Sequence, residues 1–162
     1  MMNKPEIEAM FEYDRERGHL LWRGGRRGRG STGRIAGHSD ERGRVKIRHG
    51  GKQYFLHMLV WVLETGEWPS SEIDHVNGRS EDNRFSNLRL ATRSQNLYNR
   101  RMPTTNTSGF KGVKFSKRRQ KWEANIGVNG RVIYLGLHED ILSARDAYRN
   151  AAIKYHGEFA RT

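Results

Sequence analysis

The longest nearly apolar run of this chain is FLHMLVWVL, Phe55–Leu63, and it contains a histidine. A run of this length can form one buried helix or strand. It cannot cross a bilayer, because a spanning helix needs roughly 20 apolar residues. Only 35% of the 162 residues are hydrophobic, and 30% are charged. We therefore expect small cores, in a modular protein that the strand and helix segments described below predict to be α+β.

The chain ends and the cysteine content predict a compartment. The N-terminal sequence MMNKPEIEAMFEYDRE has neither the apolar stretch nor the cleavage pattern of a signal peptide. Cysteine is absent, which excludes disulfides and zinc sites built from cysteine. These features predict a cytoplasmic protein. We also expect that it has no membrane partner and no small-molecule cofactor.

The formal net charge of +12 favours a polyanionic partner. Basic residues occur along the whole chain and are not confined to a tail. Such a distribution suits a protein that lies along nucleic acid over several modules. The alternatives are an acidic membrane surface and a merely soluble basic protein.

Residues 1–70 are predicted to form a β-rich N-terminal region. His19–Arg23 and Arg44–Arg48 alternate or nearly alternate in polarity, as half-buried strands do. Between them lies an Arg/Gly loop, Arg23–Arg34, which could be a flexible phosphate clamp or only a solvated hairpin connection. The sequence KQYFLHMLVWVLETGEWP then predicts a strand that enters a helix ended by Gly66 and Pro69.

Residues 71–102 contain an unusual concentration of polar groups between two strand-like segments and a helix. Asp74 and His75 close the first predicted strand, and Asn77-Gly78 turns the chain directly afterwards. Leu88–Thr92 is the second predicted strand. Thr92 is then a helix N-cap, with a glutamine at capping-box spacing and Asn96 in the second turn.

These polar residues suit phosphodiester hydrolysis, which needs a positive centre at the phosphate and a base that prepares water. The Asp74 carboxylate and the Asn96 amide oxygen are hard ligands of the kind that Mg²⁺ takes, with Mn²⁺ as a substitute. His75, free of the metal, can take the proton of the attacking water. The Asn87 amide could hold the loop or orient His75.

The pattern Asp74-His75, Asn87 in SNLR and Asn96 in SQNLYNR resembles the HNH endonucleases, in the form found in phage and intron homing enzymes. The resemblance implies His75 as general base, Asn87 as a catalytic residue that orders the loop, and Asp74 with Asn96 as metal ligands. It also implies a ββα-metal motif, cleavage to a 5′-phosphate and a 3′-hydroxyl, and the host cytosol if the gene is a phage gene. Asn96 stands where many members have histidine, which argues against tight zinc binding.

Residues 110–162 are predicted to form a second module after a polar linker at 103–109. Three strands are expected near Lys111–Ser116, Lys121–Val128 and Arg131–His138, with a two-residue hairpin turn before the last. A helix capped by Asp140 and Gly157 should follow. Its predicted apolar stripe consists of Ala144, Ala147, Tyr148, Ala151, Ala152 and Tyr155.

The segments SGFKGVKF, KWEANI, YLGLH and ARDAYRNAAIKYHGEFA resemble the ethylene-response-factor (APETALA-type) DNA-binding domain. That family is a three-stranded antiparallel sheet packed on one helix, and its sheet enters the major groove. Lysine at 111 and 114, where the family often has arginine, implies looser base specificity. The predicted DNA-binding residues are Arg89, Arg93, Lys111, Lys114, Lys117, Arg118, Trp122, Asn125, Arg131 and Tyr134.

The sequence thus predicts a modular endonuclease acting on double-stranded DNA, one strand per active site. A monomer that nicks and a homodimer that cuts both strands remain open. The alternatives are a DNA-binding regulator with an inactive HNH remnant, and a protein that binds or cuts RNA. In the C-terminal module, Trp122 and Tyr134 could instead be core residues beneath a solvated lysine face.

Overall fold

The computed structural model describes residues 1–24 and 32–162. Residues 25–31, most of the predicted Arg/Gly loop, lie outside the described residues, so neither reading of that loop is tested. The described residues form two compact units, Met1–Ala91 and Thr92–Thr162. Helices and small antiparallel sheets occur in both, and the fold is α+β as predicted.

The N-terminal unit contains two helices and three small sheets. Its elements are α1 (Lys4–Met10), β1 (Phe11–Asp14), β2 (His19–Trp22), β3 (His38–Ser39), β4 (Val45–His49), β5 (Lys52–Phe55), α2 (Leu56–Thr65), β6 (Glu72–His75), a 3-10 turn (Phe85–Asn87) and β7 (Leu88–Ala91). The sheets pair β1 with β2, β3 with β4 with β5, and β6 with β7, all antiparallel.

The apolar run Phe55–Leu63 supplies the centre of the N-terminal core. Leu59, Val60 and Val62 of α2 are almost completely buried and pack with residues of α1, β1, β2 and β4. Leu88 of β7 belongs to the same core. The predicted strand-to-helix transition is confirmed, and the helix ends where Gly66 adopts a left-handed φ of 84°.

Helix α1 and strand β1 are not predictable from periodicity. The helix has only 7 residues and begins with a capping box between Asn3 and Glu6. Its one buried residue is Ile7. An isolated helix of this length is not stable in water, so its formation depends on tertiary packing.

The C-terminal unit is a three-stranded sheet with two helices. Its elements are α3 (Arg93–Tyr98), β8 (Val113–Ser116), β9 (Lys121–Val128), β10 (Arg131–His138), α4 (Ile141–His156) and a 3-10 turn (Gly157–Phe159). The strand order is β10-β9-β8, antiparallel throughout. Asn129 and Gly130 adopt φ angles of 48° and 77°, as a two-residue hairpin turn requires.

One position of the predicted α4 stripe is wrong. Ala144, Tyr148, Ala151 and Ala152 are buried against the sheet, but Tyr155 is 39% exposed. His156 is buried instead, because its ring stacks on Tyr98 with centroids 3.8 Å apart and its Nε2 lies 2.8 Å from the Gly127 carbonyl oxygen. No helix in the described part of the chain has the length and apolar character needed to cross a membrane.

Candidate active site

The β6–β7 hairpin places Asp74 opposite Arg89 and His75 opposite Leu88. Asp74 and His75 are both buried, with 4% and 9% of their surfaces exposed. Buried polar side chains need partners, and each of these two has a different one. The end of β6 is therefore a polar site enclosed by protein.

One partner of Asp74 is Arg89. The Arg89 Nε and Nη2 atoms lie 2.9 Å and 2.8 Å from Asp74 Oδ2, and the arginine side chain is only 16% exposed. The sequence predicts that Arg89 binds DNA; in the structure its guanidinium contacts Asp74, and DNA binding by Arg89 stays a prediction. The cross-strand register explains this contact, because directly opposed side chains of an antiparallel pair lie on the same face.

One partner of His75 is Asn83. The His75 Nε2 lies 3.2 Å from Asn83 Oδ1, and Asn83 is only 1% exposed. Burial lowers the pKa of His75 below its usual value, against the opposing effect of the Asn83 hydrogen bond. Burial therefore favours the neutral imidazole, the form that can accept a proton.

A second histidine lies beside His75. The His57 ring meets the His75 ring edge-on at 5.3 Å and stacks on Phe55 at 5.4 Å. Burial lowers the pKa of His57 to about 3, with smaller contributions from His75 and Arg44. His57 thus acts as a neutral ring packed between Phe55 and the candidate base.

Asn87 organises the loop that connects the two strands. Its Nδ2 donates to Asn77 Oδ1 at 3.1 Å and to the Asp82 backbone carbonyl at 2.8 Å. Its Oδ1 accepts from the Asn77 backbone N–H at 3.0 Å. Of the two roles considered for Asn87, these bonds fit the holding of the loop. The side chain that meets His75 is Asn83.

Asn96 lies in α3, in the other compact unit, and is partly buried. The predicted capping box is present, since Thr92 Oγ1 accepts from the Gln95 amide and the Gln95 side chain accepts from the Thr92 amide. Arg93, the first residue of the helix, is exposed. The cap thus sets where Asn96 and Arg93 fall on the helix.

Three of the predicted DNA-binding residues share the sheet face that is turned away from α4. Lys114 pairs with Glu123 across β8 and β9, and Tyr134 is opposite Asn125 across β9 and β10. The Glu123 carboxylate accepts from Asn125 at 2.8 Å and lies 3.2 Å from the Lys114 ammonium. Tyr134 is 53% exposed. We call Lys114, Asn125 and Tyr134 the outer sheet face.

Three further predicted residues lie at the ends of strands. Lys117 and Arg118 are exposed in the turn between β8 and β9. Arg131 is exposed at the start of β10. Their charges are therefore accessible to a polyanion.

Lys111 and Trp122 are placed differently from the outer sheet face. The Lys111 ammonium donates to the backbone carbonyls of Tyr98 and Arg100 at 2.6 Å and 2.9 Å, and burial lowers its pKa to about 8. Trp122 packs on the core, with its ring 5.1 Å from that of Phe115. The core alternative considered for Trp122 therefore fits its position, whereas Tyr134 is exposed.

Sequence reasoning missed Asn83 and Tyr13. Asn83 lies in an irregular loop, and no spacing rule links it to His75. Tyr13 contacts the same loop from β1, 70 positions earlier in the chain. The sequence feature that could have pointed to Asn83 is composition, because asparagines are frequent in this loop and its turn.

Comparison with known proteins agrees with this site. A family model described as HNH endonuclease matches residues 54–98, from β5 to the end of α3. The chain also aligns over 120 residues, at 32% identity, with Protein 3.8 of Escherichia phage T7, covering 71% of this chain and 98% of that protein. The chain belongs to the same family as phage T7 Protein 3.8 and carries an HNH endonuclease domain.

A separate similarity is with plant proteins. Over 58 residues the chain is 40% identical to APETALA2-like protein 2 of Oryza sativa subsp. indica and 38% identical to AP2-like ethylene-responsive transcription factor TOE2 of Arabidopsis thaliana. These alignments cover 36% of this chain but only 13% and 12% of the plant proteins. The similarity is therefore partial.

Proposed function

We propose that this protein is a divalent-metal-dependent endonuclease of the homing type that hydrolyses one strand of double-stranded DNA per active site. The observation that carries the proposal is the enclosed pair at the end of β6. Asp74 is held by Arg89, and His75 lies next to it with its Nε2 against Asn83 Oδ1, within a hairpin that the HNH endonuclease model matches.

His75 is the general base of this proposal. A neutral imidazole takes the proton of a water molecule, whose oxygen then attacks the phosphorus. A positioned base of this kind contributes about 10²–10⁴ in rate. Asn87 supports the reaction by fixing the loop between the two strands.

The donor chemistry of the candidate ligands fits a hard divalent cation. Asp74 offers a carboxylate oxygen and Asn96 an amide oxygen, and Mg²⁺ or Mn²⁺ is the ion that such oxygens suit. No cluster of three His, Cys, Asp or Glu side chains suited to a metal occurs among residues 1–24 and 32–162. When bound, the cation would stabilise negative charge on the phosphate and on the leaving oxygen.

The C-terminal module is proposed to bind the DNA. Support comes from the partial similarity to APETALA2-like proteins and from the exposed positions of Lys114 and Tyr134 on the outer sheet face. Arg93, Lys117, Arg118 and Arg131 are exposed as well. Exposed cations bind phosphates, and side chains on a sheet can reach base edges. Lys111, Trp122 and Arg89 are left out of this proposed surface because none of them is exposed or lies on the outer sheet face. Arg89 pairs with buried Asp74, the Lys111 ammonium lies against backbone carbonyls, and Trp122 packs on the core.

The test is a cleavage assay with supercoiled plasmid and with RNA, in Mg²⁺, in Mn²⁺ and in chelator. We expect nicked or linear DNA from the wild type with metal only, and little loss of RNA. His75→Ala and Asn96→Ala should bind DNA without cutting it. His38→Ala is the matched control, because this histidine is exposed on β3 and distant in sequence from the HNH pattern.

Each alternative has its own outcome in this assay. A regulator with an inactive HNH remnant would bind plasmid and leave it supercoiled in every metal. An RNA-cutting protein would degrade the RNA first. Cutting by His75→Ala at the wild-type rate would show that His75 is not the general base. Cutting in chelator would show that the reaction does not need a divalent metal.

A further inference from the structure

Asn83 makes two hydrogen bonds that together fix its orientation. Its Nδ2 donates to the Glu81 carbonyl oxygen at 3.0 Å, and its Oδ1 lies 3.2 Å from His75 Nε2. Turning the amide over would place the Asn83 oxygen against the Glu81 oxygen, two acceptors without a proton between them. The oxygen of Asn83 must therefore face His75.

This orientation determines the tautomer of His75. An amide oxygen can only accept, so His75 Nε2 must carry the hydrogen of that bond. A neutral imidazole has one N–H, and its other nitrogen is the basic one. In the neutral form, the basic nitrogen of His75 is therefore Nδ1.

The N-terminal hairpin β1–β2 contacts the backbone of the segment that carries Asn83. The Tyr13 hydroxyl donates to the backbone carbonyl oxygen of Asn83 at 3.1 Å and accepts from the backbone N–H of Phe85 at 2.9 Å. Gly18, in the turn between β1 and β2, lies so close that a Cβ there would be 2.4 Å from the Arg84 nitrogen and 2.7 Å from the Asn83 carbonyl carbon. The segment that carries Asn83 is thus fixed by a close backbone approach and a bridging hydroxyl.

We propose that Asn83 is a positioning residue of the endonuclease, which fixes His75 as the Nε2–H tautomer so that Nδ1 is the nitrogen that takes the proton from water. This inference rests on the proposed function. In the step it serves, the water O–H bond breaks and its proton moves to His75 Nδ1. The water oxygen bonds to phosphorus, the bond from phosphorus to the 3′-oxygen breaks, and solvent supplies a proton to that oxygen.

The first measurement is made on the wild-type full chain and needs no cleavage. Two-bond ¹H–¹⁵N correlation spectra of uniformly ¹⁵N-labelled protein distinguish the two neutral tautomers of each histidine, and the signals lost in His75→Ala assign that ring. We expect a protonated-type shift for His75 Nε2 and an unprotonated-type shift for Nδ1. The opposite pattern, or an even mixture of tautomers, would overturn the proposal.

The second measurement separates positioning from simple support of the fold. Asn83→Ala should lower the single-turnover nicking rate by about 10–100-fold, the usual size of such indirect effects, and should broaden or shift the His75 signals. Asn83→Asp restores an acceptor for Nε2–H, so it should keep the tautomer and recover part of the rate. Equal rates for Asn83→Ala and the wild type would contradict the proposal.

Tyr13→Phe is the matched control. It removes the hydroxyl that holds the same loop but leaves the Asn83 side chain intact, so we expect a lower Tm and an unchanged His75 tautomer. A Tyr13→Phe protein with the spectrum of Asn83→Ala would show that loop integrity alone controls His75. A wild-type protein that fails to cut DNA would remove the proposed function, and the tautomer spectrum would still decide the role of Asn83.

Discussion

The ion pair between Asp74 and Arg89 leads to a prediction about stability. Arg89→Ala leaves a buried carboxylate without its charged partner, so we expect a loss of about 3–5 kcal/mol in the free energy of unfolding. Arg79→Ala removes an arginine whose ion pair with Glu81 is exposed, and should cost about 0–1 kcal/mol. Urea unfolding in the presence of chelator measures both. Similar losses in the two variants would show that the Asp74 pair is not special.

His57 leads to a prediction about pH. Its pKa is about 3 in the folded protein and about 6.5 in the unfolded chain. Between these values only the unfolded chain binds the proton, so stability falls as the pH is lowered from 6.5 towards 3. His57→Phe keeps an aromatic ring on Phe55 and removes this proton, and the decline should become shallower. Chemical unfolding at a series of pH values measures this decline in the free energy of unfolding. An equally steep decline in His57→Phe would contradict the lowered pKa of His57.

At the scale of elements, the sequence was most informative where periodicity and capping agree. The bounds of β9 and β10, the turn at Asn129-Gly130 and the capping box of α3 are as predicted. Side-chain direction was less predictable, as Lys111 shows. Its ammonium donates to backbone carbonyls of a preceding segment. This contact depends on tertiary packing, which local sequence patterns do not specify.

The hairpin between β9 and β10 offers a matched pair of glycines. Gly130 has a φ of 77°, so Gly130→Ala should cost about 1–2 kcal/mol even though a Cβ there would meet nothing within 4 Å. Gly127, in β9, is equally open but does not have a positive φ. Gly127→Ala should therefore be close to neutral. Thermal unfolding of both proteins checks this, and equal destabilisation would show that backbone conformation is not the cause.

At the scale of the whole molecule, the region before residue 70 takes part in building the HNH site. Residues of α1, β1, β2 and β4 share one core with α2 and β7, and Tyr13 holds the loop of Asn83. The HNH domain, which a family model matches at residues 54–98, could be predicted because its pattern is local, with His75, Asn87 and Asn96 close together in sequence. The contacts of His75 with His57 and Asn83 could not, because they depend on tertiary packing. The domain limits 71–102 and 103–109 stay predictions.

If the C-terminal module binds the DNA and the HNH site cuts it, the dependence of DNA binding on salt can be predicted. If the protein neutralises about six phosphates, the log–log slope of affinity against salt should be roughly −5. Replacing Lys117 and Arg118 together with alanine should reduce that slope by about 2, because each exposed cation releases about one counterion. The nicking rate of fully bound DNA should not change.

Lys111→Met is the control for this experiment, because the sequence pattern and the structure predict different effects of this substitution on the salt slope. The sequence places Lys111 with the other DNA-binding lysines, but its ammonium is held by the carbonyls of Tyr98 and Arg100. Its removal should lower the Tm and leave the salt slope unchanged. A slope reduced by Lys111→Met as much as by the double variant would place this lysine on the DNA and remove the proposed surface as we have defined it.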